Sequence, residues 1–238
     1  MRWPTRAQLG LSRNPSHDRS PMGFFITFEG IEGSGKSTQI DLLRAALQQL
    51  GYAVIQTREP GGCAIADQIR SILLHPQNLA LEPTAELLLY AAARAQHVSE
   101  VIRPALDNDK LVLCDRYTDA TLAYQGDGRG LDRRLIAQLN GVASQATRPD
   151  LTILIDLQVV TGLRRALSRE VALQDSSEGR FEREEMAFHQ RVRDGYLALA
   201  EAEPARFVIV DGSLSIELLA AEIQQKTLKF LEQRQAQP

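Results

Sequence analysis

Short apolar runs alternate along the chain with longer stretches whose apolar residues recur at helical spacing. The apolar runs predict β-strands at 24–28, 53–56, 111–114, 151–155 and 207–210. The periodic stretches predict α-helices at 36–50, 65–74, 84–108, 133–146, 160–167, 184–202 and 216–232. Strands separated by helices are typical of βαβ units, so the pattern predicts an α/β fold with a parallel sheet. Ligands of such sheets bind beyond the carboxyl ends of the strands.

The loop after the first predicted strand has the glycine pattern of a phosphate-binding loop. The motif G-x-x-x-x-G-K-S/T is filled by Gly30, Gly35, Lys36 and Ser37. The glycines leave backbone N–H groups open to phosphate oxygens, and the helix that follows adds the positive end of its dipole. Lys36 supplies a cation for the β- and γ-phosphates, and Ser37 supplies a hydroxyl for Mg²⁺. The loop therefore predicts a site for a nucleoside triphosphate with Mg²⁺.

Two arginines follow other strands and lie at the same predicted edge of the sheet. Arg58 comes after the second strand, and Asp115 and Arg116 come after the third. Guanidinium groups bind phosphate through paired hydrogen bonds, so two of them beside a triphosphate site indicate a second phosphorylated ligand.

Composition limits the other partners of the chain. Its 238 residues are 44% hydrophobic with a formal net charge of −3, which gives no reason to expect nucleic acid or an anionic membrane as a partner. No apolar stretch of the sequence approaches the length of a membrane span. Cys63 and Cys114 lie far apart and in no metal-ligand spacing, so we predict a reduced, cytoplasmic protein.

Two segments differ from the rest of the pattern. Residues 1–21 are rich in Arg, Ser and Pro without periodicity, so we predict a disordered extension there, with Met22 as the natural start and the folded domain at 22–238. Residues 164–183 place arginines around a polar stretch, which predicts a mobile basic lid. The lid arginines are Arg164, Arg165, Arg169, Arg180 and Arg183. We expect one or two of them, with Arg180 or Arg169 as the candidates, to reach over the triphosphate.

Five motifs in succession resemble one family, the bacterial thymidylate kinases. They are FEGIEGSGKST at 28–38, TREPGG at 57–62, YAAARAQHV at 90–98, DRYTDATLAYQG at 115–126 and RPDLTILIDL at 148–157. The resemblance implies the P-loop nucleoside-monophosphate-kinase fold, which is a five-stranded parallel sheet flanked by helices, and usually a homodimer. It also implies transfer of the γ-phosphoryl group of ATP, with Mg²⁺, to thymidine 5′-monophosphate (dTMP).

The resemblance further implies roles at the reacting phosphates. Asp115 resembles the family's catalytic carboxylate beside Mg²⁺. The arginines that would hold the monophosphate are Arg58, Arg70 and Arg116. The loop residues that would hold the ATP phosphates are Gly30, Ile31, Glu32, Gly33, Ser34, Gly35, Lys36, Ser37 and Thr38. Positive charge during transfer would come from Lys36, Arg58, Arg116 and the lid arginine Arg180.

Recognition of the nucleoside is implied for five side chains. Glu32 resembles the carboxylate that meets the deoxyribose 3′-hydroxyl, and Tyr124 resembles the residue that crowds the 2′ position. Tyr90 would stack on the base while Arg94, four residues later on the same helix face, donates to a thymine carbonyl. Gln125 carries an amide that can read the imide edge.

Two positions depart from the family's usual residues. Ala120 stands where the family usually has Ser, and Cys63 stands where it usually has Thr. Ala120 removes a hydroxyl near the base, which leaves Thr121, Gln125 or water to satisfy the thymine edge. Because of Ala120, a broader pyrimidine deoxynucleoside-monophosphate kinase stays open as an alternative to a dTMP-specific kinase. A non-catalytic P-loop switch is a second, separate alternative.

Overall fold

A five-stranded parallel sheet forms the centre of the structure, a computed structural model that describes residues 23–173, 180–181 and 184–236. Its strands are β1 (Phe24–Glu29), β2 (Val54–Arg58), β3 (Leu111–Asp115), β4 (Leu151–Asp156) and β5 (Phe207–Asp211). They lie in the order β2-β3-β1-β4-β5, so β1 is central. The predicted α/β class and all five predicted strands are confirmed. The predicted extension at 1–21 lies outside the described residues, as do 174–179 and 182–183 of the predicted lid.

Helices cover both faces of the sheet. They are α1 (Lys36–Gln49), α2 (Ala64–Leu74), α3 (Pro83–His97), α4 (Arg103–Asp107), α5 (Thr118–Thr121), α6 (Arg133–Ser144), α7 (Val159–Leu173), α8 (Met186–Ala202) and α9 (Ile216–Ala236). Within the described ranges, no helix combines the length and the hydropathy that a membrane crossing requires.

Alternation of side chains along β1 divides the core into two faces. Ile26 and Phe28 pack in one buried cluster with Ile40 of α1 and Ile223 of α9. Phe25 belongs to a second cluster, which includes Val98. Because β1 is buried on both faces, the loop that follows it emerges from the rigid centre of the sheet.

Two stretches differ from the sequence prediction. The single helix predicted at 84–108 is interrupted by a π-helical turn, Val98–Ile102, between α3 and α4. Pro104 at the start of α4 has no N–H to donate to the preceding turn, which disfavours a continuous α-helix there. Residues 118–128, for which no element is predicted, form α5 and a π-helical turn, Leu122–Gly128. Tyr124 and Gln125 of that turn are buried, so tertiary packing overrides the local preference of its glycines for a loop.

Candidate active site

The phosphate-binding loop joins the end of β1 to the start of α1. A Cβ at Gly30 would lie 2.5 Å from the carbonyl oxygen of Ile155, so glycine is required where the loop passes β4. Lys36 Nζ donates to the carbonyl oxygens of Gly30 and Ile31 at 3.0 Å each. Burial, helped by the nearby Arg116, lowers the pKa of Lys36 to about 8. The ammonium is thus held at the loop by neutral carbonyl groups, which an anionic phosphate can replace.

Ser37 and Asp115 form the part of the site that suits a metal ion. Ser37 Oγ donates to Asp115 Oδ2 at 3.1 Å. The other carboxylate oxygen, Oδ1, is buried and accepts no hydrogen bond from the described residues. Carboxylate and hydroxyl oxygens are ligands that Mg²⁺ accepts, and Mg²⁺ commonly takes only one or two protein carboxylates beside phosphates and water. The pair therefore fits a magnesium ion that is shared with a bound phosphate.

Arg116, directly after β3, is fixed against the phosphate loop. Its Nη2 donates to Glu32 Oε1 at 3.1 Å, and its Nη1 donates to the hydroxyl of Tyr196 at 3.2 Å. The guanidinium also lies 4.7 Å above the ring of Tyr124, whose own hydroxyl donates to Glu32 Oε1 at 2.5 Å. Two predicted nucleoside contacts, Glu32 and Tyr124, are thereby coupled to a predicted phosphate contact.

Glu32 is held as an ionised carboxylate. Burial alone would raise its pKa, but His189, Arg116 and Tyr124 outweigh burial and lower the pKa to about 2. His189 is fully buried on α8, and its Nδ1 lies 3.4 Å from Glu32 Oε2. At neutral pH Glu32 can therefore accept a hydrogen bond from a ligand hydroxyl.

Arg58 and Arg70 approach the cavity from the segment after β2. Arg58 Nη2 donates to Asp67 Oδ1 at 3.2 Å, and both of these side chains are about half exposed. Arg70 Nη1 donates to the carbonyl oxygen of Pro60 at 2.8 Å. Because exposed ion pairs contribute little stability, an anionic ligand can replace Asp67 at Arg58 with little loss.

Arg94 is buried, and its guanidinium group donates several hydrogen bonds to the protein. Its Nε donates to Glu59 at 2.7 Å and its Nη1 to Asn140 at 2.6 Å. Its Nη2 donates to the carbonyl oxygen of Tyr117 and to Thr121 Oγ1, both at 3.0 Å. These bonds use four of the five N–H groups of the guanidinium. Arg94 therefore has a fixed position, and the Thr121 hydroxyl keeps its own proton for a ligand.

Glu86 of α3 connects the predicted base-reading residues to the segment near the lid. Gln125 Nε2 donates to Glu86 Oε1 at 2.7 Å, and Glu86 also pairs with Arg129 and Arg180. Arg180 Nε donates to the carbonyl oxygen of Leu73 at 2.6 Å. Arg180 is thus bound at α2 and α3, and its contact with a triphosphate stays a prediction. The side chain of Arg169 and all of Arg183 lie outside the described residues.

A cavity of about 540 Å³ brings most of the predicted residues together, which is a size suited to small ligands. The predicted residues that line it are Glu32, Gly33, Ser34, Gly35, Lys36, Ser37, Thr38, Arg58, Arg70, Tyr90, Arg94, Asp115, Arg116, Tyr124 and Gln125. Ala120 and Thr121 also line it, whereas Gly30, Ile31 and Arg180 are not among its lining residues. Cys63 caps α2 without a side-chain hydrogen bond.

Four buried polar residues around this cavity are missing from the sequence prediction: Glu59, Glu86, His189 and Tyr196. Glu59 lies within the TREPGG motif, and Glu86 lies one helical turn before Tyr90, so spacing alone could have indicated both. His189 and Tyr196 lie on α8 in no motif that the sequence analysis uses, and only the fold brings them to the site.

Comparisons with known proteins agree with this geometry. Residues 28–223 match the family model for thymidylate kinase. A thymidylate kinase of Geobacter sp. (strain M21) is 59% identical over 213 residues, which cover 88% of this chain and 95% of that protein. A thymidylate kinase of Syntrophotalea carbinolica is 61% identical over 196 residues, which cover 82% of this chain and 91% of that protein. The crystal structure of the thymidylate kinase from Ehrlichia chaffeensis is 33% identical with a TM-score of 0.68, and the match covers 87% of this chain and 100% of that one.

Proposed function

This chain belongs to the thymidylate kinase family, and on that premise we propose that its cavity transfers the γ-phosphoryl group of ATP to dTMP to give thymidine 5′-diphosphate. One observation carries the proposal: a single cavity is lined by a phosphate loop, by arginines from separate elements and by the set Tyr90, Arg94 and Gln125. A nucleotide kinase needs each of these, for the donor phosphates, for charge compensation and for the base.

At the donor side, the phosphate loop and Lys36 bind ATP. Lys36 exchanges its carbonyl partners for the β- and γ-phosphate oxygens, which favours the protonated ammonium despite burial. Ser37 and Asp115 would hold Mg²⁺, which would neutralise charge on the phosphate oxygens. The unpartnered Oδ1 of Asp115 supports this assignment.

At the acceptor side, the chain positions a second anion for in-line transfer. Arg58, Arg70 and Arg116 offset the repulsion between the two phosphate groups. Because the acceptor is already an anionic phosphate, the reaction needs positioning and charge more than it needs a general base. Glu32 accepts from the 3′-hydroxyl of the deoxyribose, and Tyr124, fixed on Glu32, limits space at the 2′ position.

The base binds at the other end of the cavity. Tyr90 stacks on the pyrimidine, Arg94 donates to a thymine carbonyl, and Gln125 bonds to the imide edge. Ala120 lines the cavity without a hydroxyl, and Thr121 and Gln125 provide the polar groups beside it. During transfer, Arg180 or another lid arginine adds positive charge over the ATP phosphates.

We also propose that the protein acts as a homodimer in the cytoplasm. Large apolar side chains are exposed on neighbouring helices, namely Ile65 and Ile72 on α2, Leu88 on α3 and Val142 on α6. Such exposed groups on adjacent helices suit an interface between two copies of the chain. Sedimentation equilibrium giving twice the chain mass of 26.4 kDa would support the dimer, and the single mass would exclude it.

The reaction is tested by coupled ADP release with ATP and Mg²⁺ on dTMP, dUMP, dCMP and purine monophosphates. We expect fast turnover on dTMP. In Asp115→Asn, turnover on dTMP should fall by about 10²-fold or more. Comparable turnover on dUMP or dCMP would replace the proposal with a broader pyrimidine kinase. No turnover on any monophosphate, together with retained ATP binding, would favour the switch.

A further inference from the structure

Glu86 is a fully buried carboxylate beside the base-recognition end of the cavity. It lies on the same face of α3 as Tyr90 and Arg94, which follow it by four and eight residues. Arg129 Nη2 lies 3.2 Å from Glu86 Oε2, and Arg180 donates to the same oxygen. A buried carboxylate paired with two guanidinium groups accepts hydrogen bonds and donates none.

This fixed acceptor determines how the amide of Gln125 is oriented. Gln125 Nε2 donates to Glu86 Oε1 at 2.7 Å. If the amide were reversed, its carbonyl oxygen would face a carboxylate oxygen, with no proton between them. The nitrogen end must therefore face Glu86. The opposite end, Oε1, accepts no hydrogen bond from the described residues and belongs to a side chain that lines the cavity.

We propose that Glu86 is a positioning residue that locks the amide of Gln125 and so makes the site select a pyrimidine with an N3–H over one with an unprotonated N3. The inference rests on the proposed function, in which Gln125 reads the base. Thymine and uracil carry a proton on N3, which can donate to Gln125 Oε1. N3 of cytosine is an acceptor and would face the lone pairs of Oε1. A site that leaves such a pair unsatisfied disfavours the wrong ligand by about tenfold or more.

The proposal is specific about which discrimination depends on Glu86. In Glu86→Gln, the oxygen of the new amide stays with its guanidinium partners and its nitrogen faces Gln125, so position 86 donates where the carboxylate accepted. Gln125 can then turn its nitrogen towards N3 of cytosine. Discrimination between thymine and uracil depends on the 5-methyl group and not on N3, so it does not depend on the orientation of the amide.

The experiment measures kcat/KM of the full-length chain for dTMP, dUMP and dCMP with ATP and Mg²⁺. We expect Glu86→Gln to lower the dTMP-to-dCMP ratio by about tenfold and to change the dTMP-to-dUMP ratio by less than about twofold. Arg129→Gln is the matched control, because it removes one cation from Glu86 and leaves the carboxylate that accepts from Gln125. It should keep the dTMP-to-dCMP ratio of the parent, even if overall activity falls.

Two further variants separate the possible failures. Gln125→Ala should also lower the dTMP-to-dCMP ratio, and an unchanged ratio there would overturn the base-reading role of Gln125. A lowered ratio in Gln125→Ala with an unchanged ratio in Glu86→Gln would overturn the positioning role alone. Should Glu86→Gln fail to fold, Glu86→Asp keeps the charge for both arginines and withdraws the acceptor from Gln125. Its ratio should fall in the same direction, and an unchanged ratio would equally overturn the proposal.

Discussion

The two ends of the cavity hold their charged groups in different ways. At the phosphate end, Lys36 donates to neutral carbonyl groups, and Arg58 pairs with a half-exposed Asp67. At the base end, Arg94 is 2% exposed and donates to four protein acceptors, including Glu59 at 2.7 Å. Weakly paired cations can change partners when phosphates arrive and leave, whereas recognition of a base needs donors that do not move. The difference agrees with the tasks that we propose for the two ends.

The two arrangements also differ in their effect on stability. The lowered pKa of Lys36 means that folding disfavours its charged form, so the loop retains this ammonium at a cost in stability. Glu59, in contrast, bonds both Arg94 and His97 in the interior, and removal of a partner from such a pair leaves an uncompensated charge. Substitutions at the two ends should therefore separate activity from stability.

Lys36→Ala should show the largest effect, and it should fall on activity. We expect kcat to drop on the order of 10⁴-fold, about 5 kcal/mol, because a cation at the transferred phosphoryl group is lost. The free energy of unfolding in urea should stay the same or rise, because a buried charge is removed. Lys226→Ala, on the surface of α9, is the control: it should leave kcat unchanged and lower the free energy of unfolding by about 0.5 kcal/mol or less. Retention of kcat within tenfold would contradict the assignment of Lys36.

Glu59→Ala should show the opposite behaviour. Loss of the buried carboxylate leaves Arg94 without its charged partner, and we expect the free energy of unfolding to fall by about 3 kcal/mol. Glu222→Ala is the matched control, because it breaks a partly exposed i,i+4 ion pair with Lys226 and should cost about 0.5 kcal/mol or less. Equal losses in the two variants would show that the base end is no more rigid than the surface.

The sequence predicted more of the phosphate end than of the base end. Phosphate binding by a loop uses backbone groups, so glycine spacing and Lys36 identify it from a short local segment. The strands were predictable for a similar reason, because each is a compact apolar run. The base end depends on contacts between distant segments. Gln125 and Glu86 are 39 residues apart, and Tyr196 and Glu29 are 167 apart, so no local pattern predicts either hydrogen bond.

Departures from the sequence predictions also arise from contacts between distant segments of the chain. Leu122–Gly128 contains glycines that locally favour a loop, yet burial of Tyr124 and Gln125 stabilises a π-helical turn there. The five lid arginines are chemically equivalent, so the sequence alone does not separate Arg180 from the others. The fold brings its guanidinium to Glu86, a residue that no local feature of the lid segment indicates.

Glu32 provides the last test of the comparison between the two ends of the cavity. It belongs to the phosphate loop, but it is held as firmly as the residues at the base end. Tyr124 and Arg116 donate to Oε1 at 2.5 and 3.1 Å, and His189 lies beside Oε2. Its pKa in the folded protein, about 2, lies below the ordinary value of about 4.3 for Glu in an unfolded chain. A carboxyl group with a lowered pKa contributes stability that is present above about pH 5 and is lost as pH falls towards 2.

Between pH 6 and pH 3 this linkage should remove about 2 kcal/mol from the free energy of unfolding. Glu32→Gln has the same shape without the titrating group, so its unfolding free energy should fall by about 2 kcal/mol less over the same interval. Urea titrations of both proteins at the two pH values measure the difference, in which titrating groups remote from Glu32 cancel. Equal losses in the two proteins would mean that the folded state does not hold Glu32 as a carboxylate. Glu32 would then be as weakly held as Lys36 and Arg58, and rigidity would begin only where the base binds.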